Sequence, residues 1–262
     1  MNGKQIKLDN KKGKGTFLLQ NTAAWYVNTI RRYIINKVPT MAMEDIEFIE
    51  NSSALYDEIV AHRLGLIPLV TDLVSYFEKE KCKCKGKGCA RCTLKLTLNK
   101  MGPCTVYAGD LKSMDPKVVP AYPKMPIVKL LEGQSLKFEA TAQLGSGKDH
   151  IKFSPGHIYY YGYPIIKTKE NKDAKLAVAS CPKNILEIKG KKLSIKDIFK
   201  CDLCLACTDA CPEAITVEGS DKDFIIKIES WLQLSIKEIM IKAAEMFNED
   251  LDNLANAIKK LK

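Results

Sequence analysis

The sequence predicts an α+β fold, and three observations carry that reading. Apolar residues recur at helical spacing near both ends of the chain, they alternate at strand spacing in between, and Gly and Pro breaks separate the two kinds of run. Taken in order, Asn21 can cap a first helix carrying Ala23, Val27, Ile30 and Ile34 on one side, and Pro39 ends it because its ring clashes with a continuing helix. A strand-like run, Asp45 to Ile49, comes next. Ser53 to Leu66 then places Leu55, Ile59 and Leu66 at helical spacing ahead of Pro68. From Leu94 the period changes: Leu94, Leu96 and Leu98 alternate, Gly102-Pro103 interrupts, and Leu136, Phe138 and Ala140 alternate again. At the far end Ser235 and Glu238 form a capping-box signature, in which each side chain satisfies an orphan amide at the helix start. The helix that follows carries Ile236, Ile239, Met240, Ala243, Phe247, Leu251, Leu254, Ile258 and Leu261 on one stripe. A stripe that long needs a long facing surface, either this chain's own sheet or a partner subunit.

Composition narrows the classes. The 262 residues are 46% hydrophobic and 27% charged, a globular balance, and no apolar run approaches the roughly 18 residues that cross a bilayer. Met1 to Asn10 lacks the apolar stretch of a secretory signal, so a cytoplasmic location is expected, with cysteines that are reduced or metal-bound. The 41 Lys and Arg against 31 Asp and Glu give +10, which favours anionic surroundings or acidic partners. Lys-rich stretches such as Lys11 to Lys14 and Lys79 to Lys100 read as solvated loops, so no direct sequence-specific nucleic-acid contact is expected from them.

The ten cysteines carry the chemistry. Residues 201 to 212 read CDLCLACTDACP, the bacterial ferredoxin spacing, in which closely spaced thiolates wrap an iron–sulfur cube. Cys181-Pro182-Lys183-Asn184-Ile185 matches Cys211-Pro212-Glu213-Ala214-Ile215, and both continue into a short alternating run ending in Gly190 or Gly219, a repeat of 30 residues. In two-cluster ferredoxins the fourth cysteine of each run ligates the other run's cluster. Counting back four, seven and ten positions from Cys211 gives Cys207, Cys204 and Cys201, whereas the same steps from Cys181 give Ala177, Ala174 and Asn171, which are not thiolates. One of the two sites is therefore empty, and the other is expected to use Cys201, Cys204, Cys207 and Cys181. Cys211 is then a free thiol, or a disulfide partner for Cys204 if that ligand leaves, which would turn a 4Fe–4S site into a 3Fe–4S one. Zinc in the same thiolates, or a site that never loads, stays open.

Cys82, Cys84, Cys89 and Cys92 form a second cluster in the loop KCKCKGKGCARC, where Gly86 and Gly88 let the chain turn back. Four thiolates so close suit a closed tetrahedral zinc site, with the lysines offsetting its negative charge; a metal-free hairpin is the alternative. Cys104, alone after Gly102-Pro103, reads as a single buried thiol. No P-loop, Rossmann fingerprint or HExxH occurs, and His62, His150 and His157 stand in separate regions. Neither a nucleophile–base–oxyanion constellation nor a carboxylate cluster for two metals is present, so no catalytic residue is assigned.

Several segments resemble the D-type, alpha-like subunit family of archaeal DNA-directed RNA polymerase, counterparts of the bacterial alpha subunit and of the third-largest subunit of eukaryotic RNA polymerase II. Asn28-Thr29-Ile30-Arg31-Arg32 followed by Val38-Pro39-Thr40-Met41-Ala42 is similar to the family's first helix and exit turn, and Asp57 through Leu69, DEIVAHRLGLIPL, to its most specific run. Gly102-Pro103 through Ala108-Gly109-Asp110, and Leu144 through His150, extend the resemblance over nearly the whole chain.

The resemblance implies a dimerisation domain at 1–45, 137–162 and 222–262, an alpha-like insert domain with the zinc loop at 46–136, and a ferredoxin-like domain at 163–221. It implies pairing of the first and last helices, through Val27, Ile30, Ile34, Met240, Ala243, Phe247, Leu254 and Ile258, with a smaller alpha-like subunit called L. That heterodimer would be the platform for small subunits N and P and the second-largest subunit, and polymerase chemistry would belong to other chains. The ferredoxin motif raises a different class, an electron-transfer subunit of an oxidoreductase, but one cluster beside an emptied site lacks the second acceptor a wire needs. A zinc-loop nucleic-acid binder rests only on the Lys-rich loops.

Overall fold

The periodicities become five helices and twelve strands in the computed structural model, which describes residues 1–190 and 192–261. In chain order they are β1 (Asn2–Asp9), β2 (Lys14–Gln20), α1 (Ala24–Asn36), β3 (Thr40–Asn51), α2 (Asp57–Gly65), β4 (Thr93–Met101), β5 (Cys104–Tyr107), β6 (Lys112–Ser113), β7 (Pro126–Leu130) and β8 (Ser135–Gly145). Then come β9 (Gly156–Thr168), α3 (Ala174–Ala179), β10 (Leu186–Lys189), β11 (Lys192–Ile195), α4 (Ala206–Ala210), β12 (Ile215–Ser230) and α5 (Ile236–Lys259). The chain divides into two compact units, each discontinuous. The first holds Met1–Leu8, Gly15–Thr29 and Tyr159–Lys227; the second holds Asp9–Lys14, Ile30–Ile158 and the residues from Ile228 onward.

The second unit is built on an antiparallel sheet in the order β3-β8-β4-β6. Its register sets Ile46 and Leu96 on either side of Ala140, and Phe48 and Leu98 on either side of Phe138, so the alternation read from the sequence becomes one buried face. Val60 and Leu64 of α2, and Val106, Val128 and Leu130 of the β5–β7 pair, join that face in a single apolar core. Each fully buried Leu or Phe contributes roughly 1.5–3 kcal/mol. Gly102 is required at the entry to β5, because a Cβ there would lie 2.0 Å from the Leu131 carbonyl oxygen.

Two helix starts differ from the expectation. Asn21 is not the cap of α1, which begins at Ala24; it adopts a left-handed conformation (φ 53°), and its amide donates to Asp223 in the same unit. Similarly, α2 begins at Asp57 rather than Ser53. Asn51 Oδ1 accepts from the amide and the hydroxyl of Ser53, and these local bonds hold residues 51 to 55 in a turn that competes with helix. At α5 the capping box forms as expected: the Glu238 amide donates to Ser235 Oγ (3.2 Å) and the Ser235 amide to Glu238 Oε2 (2.8 Å).

A buried polar knot ties the second unit together. Thr40 donates to the Phe153 carbonyl (2.7 Å), the Met41 amide to Thr71 Oγ1 (3.0 Å), and the Thr71 amide to the Gln233 carbonyl (2.9 Å). Gln233 Nε2 reaches back to Thr40 Oγ1 at 3.3 Å. Thr40 and Gln233 are almost wholly buried, so these bonds satisfy most of what burial removes from water. Further along, α5 packs on the second half of α1: Tyr33 and Phe247 meet edge-to-face at 5.2 Å, and Asp250 accepts from Tyr33 Oη (2.7 Å) and Lys37 Nζ (2.6 Å).

In the first unit the strands order β1-β2-β12-β9, and the 30-residue repeat has a structural counterpart. α3, a turn at Cys181 and β10 are matched by α4, a turn at Cys211 and β12. The Asn184 amide donates to the Cys181 carbonyl and the Ala214 amide to the Cys211 carbonyl, each at 3.1 Å, so the two Cys-Pro turns share this closing bond.

Asp72 supplies a pH test of the second unit. Hydrogen bonds from the Ser75 hydroxyl and the Val74 amide lead, against burial, in lowering its carboxyl from 3.8 to about 2. Its folded pKa lies below its unfolded one, so its stabilisation is complete above roughly pH 4 and is lost as pH falls towards 2. Asp72→Asn is expected to flatten stability against pH across that window in denaturant titrations, with the curves of wild type and variant converging at the acid end.

Candidate metal centres and a helix face

The loop between α2 and β4 brings Cys82, Cys84, Cys89 and Cys92 together. Lys85, Gly86 and Gly88 all have positive φ, which turns the chain back on itself, and the Lys85 and Cys92 amides close tight turns onto the Cys82 and Cys89 carbonyls. The four sulfurs lie within 4.8 Å of one another, with Cys82–Cys89 at 3.5 Å, Cys84–Cys92 at 3.6 Å and Cys89–Cys92 at 3.8 Å. A tetrahedral zinc with bonds of about 2.3 Å places its sulfurs about 3.8 Å apart, so the donor set fits that metal. The distances are too long for disulfides, and all ten cysteines are free. Burial pushes the Cys92 thiol up to about 12. Burial opposes ionisation of Cys84 too, yet hydrogen bonding from the Cys82 and Cys92 thiols outweighs it and brings Cys84 down to about 6.

In the first unit Cys181, Cys201, Cys204 and Cys207 line one small pocket, partly open to solvent, whose walls include Ile166, Ile215 and Val217. Cys211 is not in that lining. Leu203 and Leu205 hold left-handed conformations, φ 59° and 62°, an unusual choice for bulky residues that turns the loop sharply between Cys201 and Cys207. Burial raises the Cys201 and Cys207 thiols; for Cys207 the charge of Cys181 adds to it. A bound cation reverses that preference, since metals take thiolates. Cys211 lies, with Cys181 and Cys201, in a buried apolar cluster that also holds Ala174 and Ala177, which stand in the first half of the repeat where the ferredoxin spacing would have thiols. Lys183 and Asp202 also line the pocket and pair at 3.3 Å. Nothing in their sequence context marks that contact, because each looks like an ordinary loop charge.

The helix residues divide. Val27, Ile30 and Ile34 are 1–8% exposed, so the α1 stripe is consumed inside the chain and is not a free surface; the sequence could not distinguish the two because both uses need the same spacing. On α5, Ala243 is buried and Met240 and Phe247 are half-buried, Phe247 against Tyr33. Leu251, Leu254 and Ile258 are 47%, 57% and 53% exposed, and every described residue beyond Asp250 is exposed. The stripe therefore leaves its own core at about Asp250. Among the described residues, no helix is long and apolar enough to cross a membrane.

Residues 38–158 match the family model described as the RNA polymerase Rpb3/RpoA insert domain. The chain is 38% identical over 261 residues to DNA-directed RNA polymerase subunit Rpo3 of Methanosarcina acetivorans, covering 98% of this chain and 97% of that one. It is 35% identical to the Archaeoglobus fulgidus subunit Rpo3, covering 97% of each, and 47% identical to that of Pyrococcus furiosus over 61% of this chain and 59% of the relative.

The four-sulfur loop is directly testable. Native protein is expected to carry zinc in proportion to chain, and Cys84→Ser with Cys89→Ser to lose it, while heat denaturation of the remainder changes little because the loop's thiols are anchored only locally. Elemental analysis and a melting curve measure both.

Proposed function

Because the chain belongs to the archaeal DNA-directed RNA polymerase subunit Rpo3 family, we propose that it builds the enzyme by pairing, through the exposed end of α5, with the smaller alpha-like subunit L. It is a non-catalytic assembly subunit of RNA polymerase. The observation that carries the pairing is the row Leu251, Leu254 and Ile258, at helical spacing and without cover among the described residues. An apolar row on a helix that is anchored at its other end is suited to helix-on-helix docking, since burying it removes apolar area from water without reordering the chain. The pair is then the platform for subunits N and P and the second-largest subunit, and the work proceeds in the cytoplasm.

The metals are structural in this reading. Zinc is held by Cys82, Cys84, Cys89 and Cys92, supported by the sulfur spacing. An iron–sulfur cluster, 4Fe–4S, is held by Cys181, Cys201, Cys204 and Cys207, supported by the shared pocket and by the left-handed loop around it. Its role is to staple the ferredoxin-like segment 163–221, where thiolate–metal bonds stand in for a core of limited size. The electron-transfer alternative is disfavoured by Ala174 and Ala177, buried apolar residues at positions where a second cluster would need thiolates.

Two tests separate these claims. Leu254→Asp with Ile258→Asp should abolish the 1:1 complex with the alpha-like subunit in co-expression and size-exclusion chromatography, while leaving the fold intact because both positions are exposed. A complex that persists would remove α5 from the interface. For the cluster, Cys181→Ser should reduce anaerobic visible absorption and iron content as much as Cys201→Ser does, and Cys211→Ser should leave both unchanged.

A further inference from the structure

We infer that Tyr161 is a positioning residue of the cysteine pocket, its hydroxyl donating a hydrogen bond to the Cys201 sulfur when that sulfur holds the iron–sulfur cluster. The inference rests on the cluster reading of Cys181, Cys201, Cys204 and Cys207. Residues two apart on a strand share a face, so Tyr161 and Tyr163 of β9 point to the same side. Tyr163 meets Phe199 edge-on at 6.0 Å, and Phe199 stands two residues before Cys201. The loop is pressed close here. A Cβ on Gly162 would meet the Ser220 carbonyl oxygen at 2.7 Å, and one on Gly219 would meet Leu203 at 3.1 Å, so β9, β12 and the cysteine loop are layered without room for extra atoms.

The Tyr161 ring is fixed: it stacks on Tyr159 with centroids 6.5 Å apart, and the Lys227 ammonium lies 5.1 Å from its centre. Its hydroxyl is withdrawn from solvent and has no hydrogen-bond partner among the described residues. Buried hydroxyls of that kind call for a partner, and a metal-bound thiolate is a good acceptor. Burial, then the charges of Asp202 and Cys201, hold the phenol at about 12, so it keeps its proton at neutral pH. Asp202 already accepts from Lys183, and the Cys201 sulfur, which accepts from the Leu203 amide, has room for a second donor as a metal-bound thiolate. Hydrogen bonds to cluster sulfurs favour the more electron-rich state and raise the reduction potential.

The experiment is a redox titration of the full-length, anaerobically purified chain, after iron content has been measured. Tyr161→Phe keeps the ring and is expected to retain iron and shift the midpoint potential to a more negative value, whereas Tyr163→Phe leaves it in place. 3-Fluorotyrosine at position 161, a stronger donor on the same ring, is expected to shift the potential the opposite way, and this arm stands if Tyr161→Phe loads poorly. An unmoved potential with fluorotyrosine, or the same shift from Tyr163→Phe, overturns the proposal. A wild-type chain without iron overturns the cluster reading beneath it, and that result is visible before any potential is measured.

Discussion

The buried bonds among Thr40, Thr71 and Gln233 decide the shape of the second unit. Gln233 lies 193 positions from Thr40, yet its side chain and carbonyl meet the start of β3 and the loop after α2 inside the protein. Polar groups taken out of water are costly unless paired, so these segments hold one another in a single arrangement rather than a family of near-equivalent ones. Gln233 stands two residues before the cap of α5, and the knot therefore fixes the point from which the last helix departs. One oxygen, Gln233 Oε1, has no partner among the described residues, which makes the knot tight but not saturated.

From that origin α5 changes character along its length. Ile236, Ile239 and Ala243 are sealed in the chain's own core, Phe247 and Asp250 clasp α1 through Tyr33 and Lys37, and beyond them the same apolar period continues with nothing against it among the described residues. A helix anchored this way presents its outer half at little cost in conformational entropy, because the backbone is already ordered when a partner arrives. The +10 charge and the Lys and Glu flanking the stripe keep such a surface soluble enough to wait for one.

The two sulfur sites illustrate different ways of bringing thiolates together. Around Cys82 to Cys92 the cysteines are neighbours in sequence, and glycines with positive φ do the folding. Around Cys201 the pocket cysteines come from both halves of a repeat, and the closing elements are two leucines in left-handed conformations and two Cys-Pro turns that share one hydrogen bond. In the first half of that repeat, where Ala174 and Ala177 stand in place of thiols, both pack with Cys211 in a buried apolar cluster. The repeat is visible in the backbone, while the closely spaced thiols stand in one half only.

The α+β class, the strand alternation that pairs on Phe138 and Ala140, the capping box of α5, the repeat and both cysteine groups were readable in the sequence, because spacing and residue type are local properties that the fold preserves. Burial was not. Val27, Ile30 and Ile34 have the same spacing as Leu251, Leu254 and Ile258, yet one row is covered and the other is open, since coverage depends on which distant segment arrives opposite. The starts of α1 and α2 moved because Asn21 bonds outside the helix it was expected to cap and Ser53 is held in a turn by Asn51. The polar knot and the pairing of Lys183 with Asp202 were invisible for the same reason: each joins residues that only the tertiary structure makes neighbours.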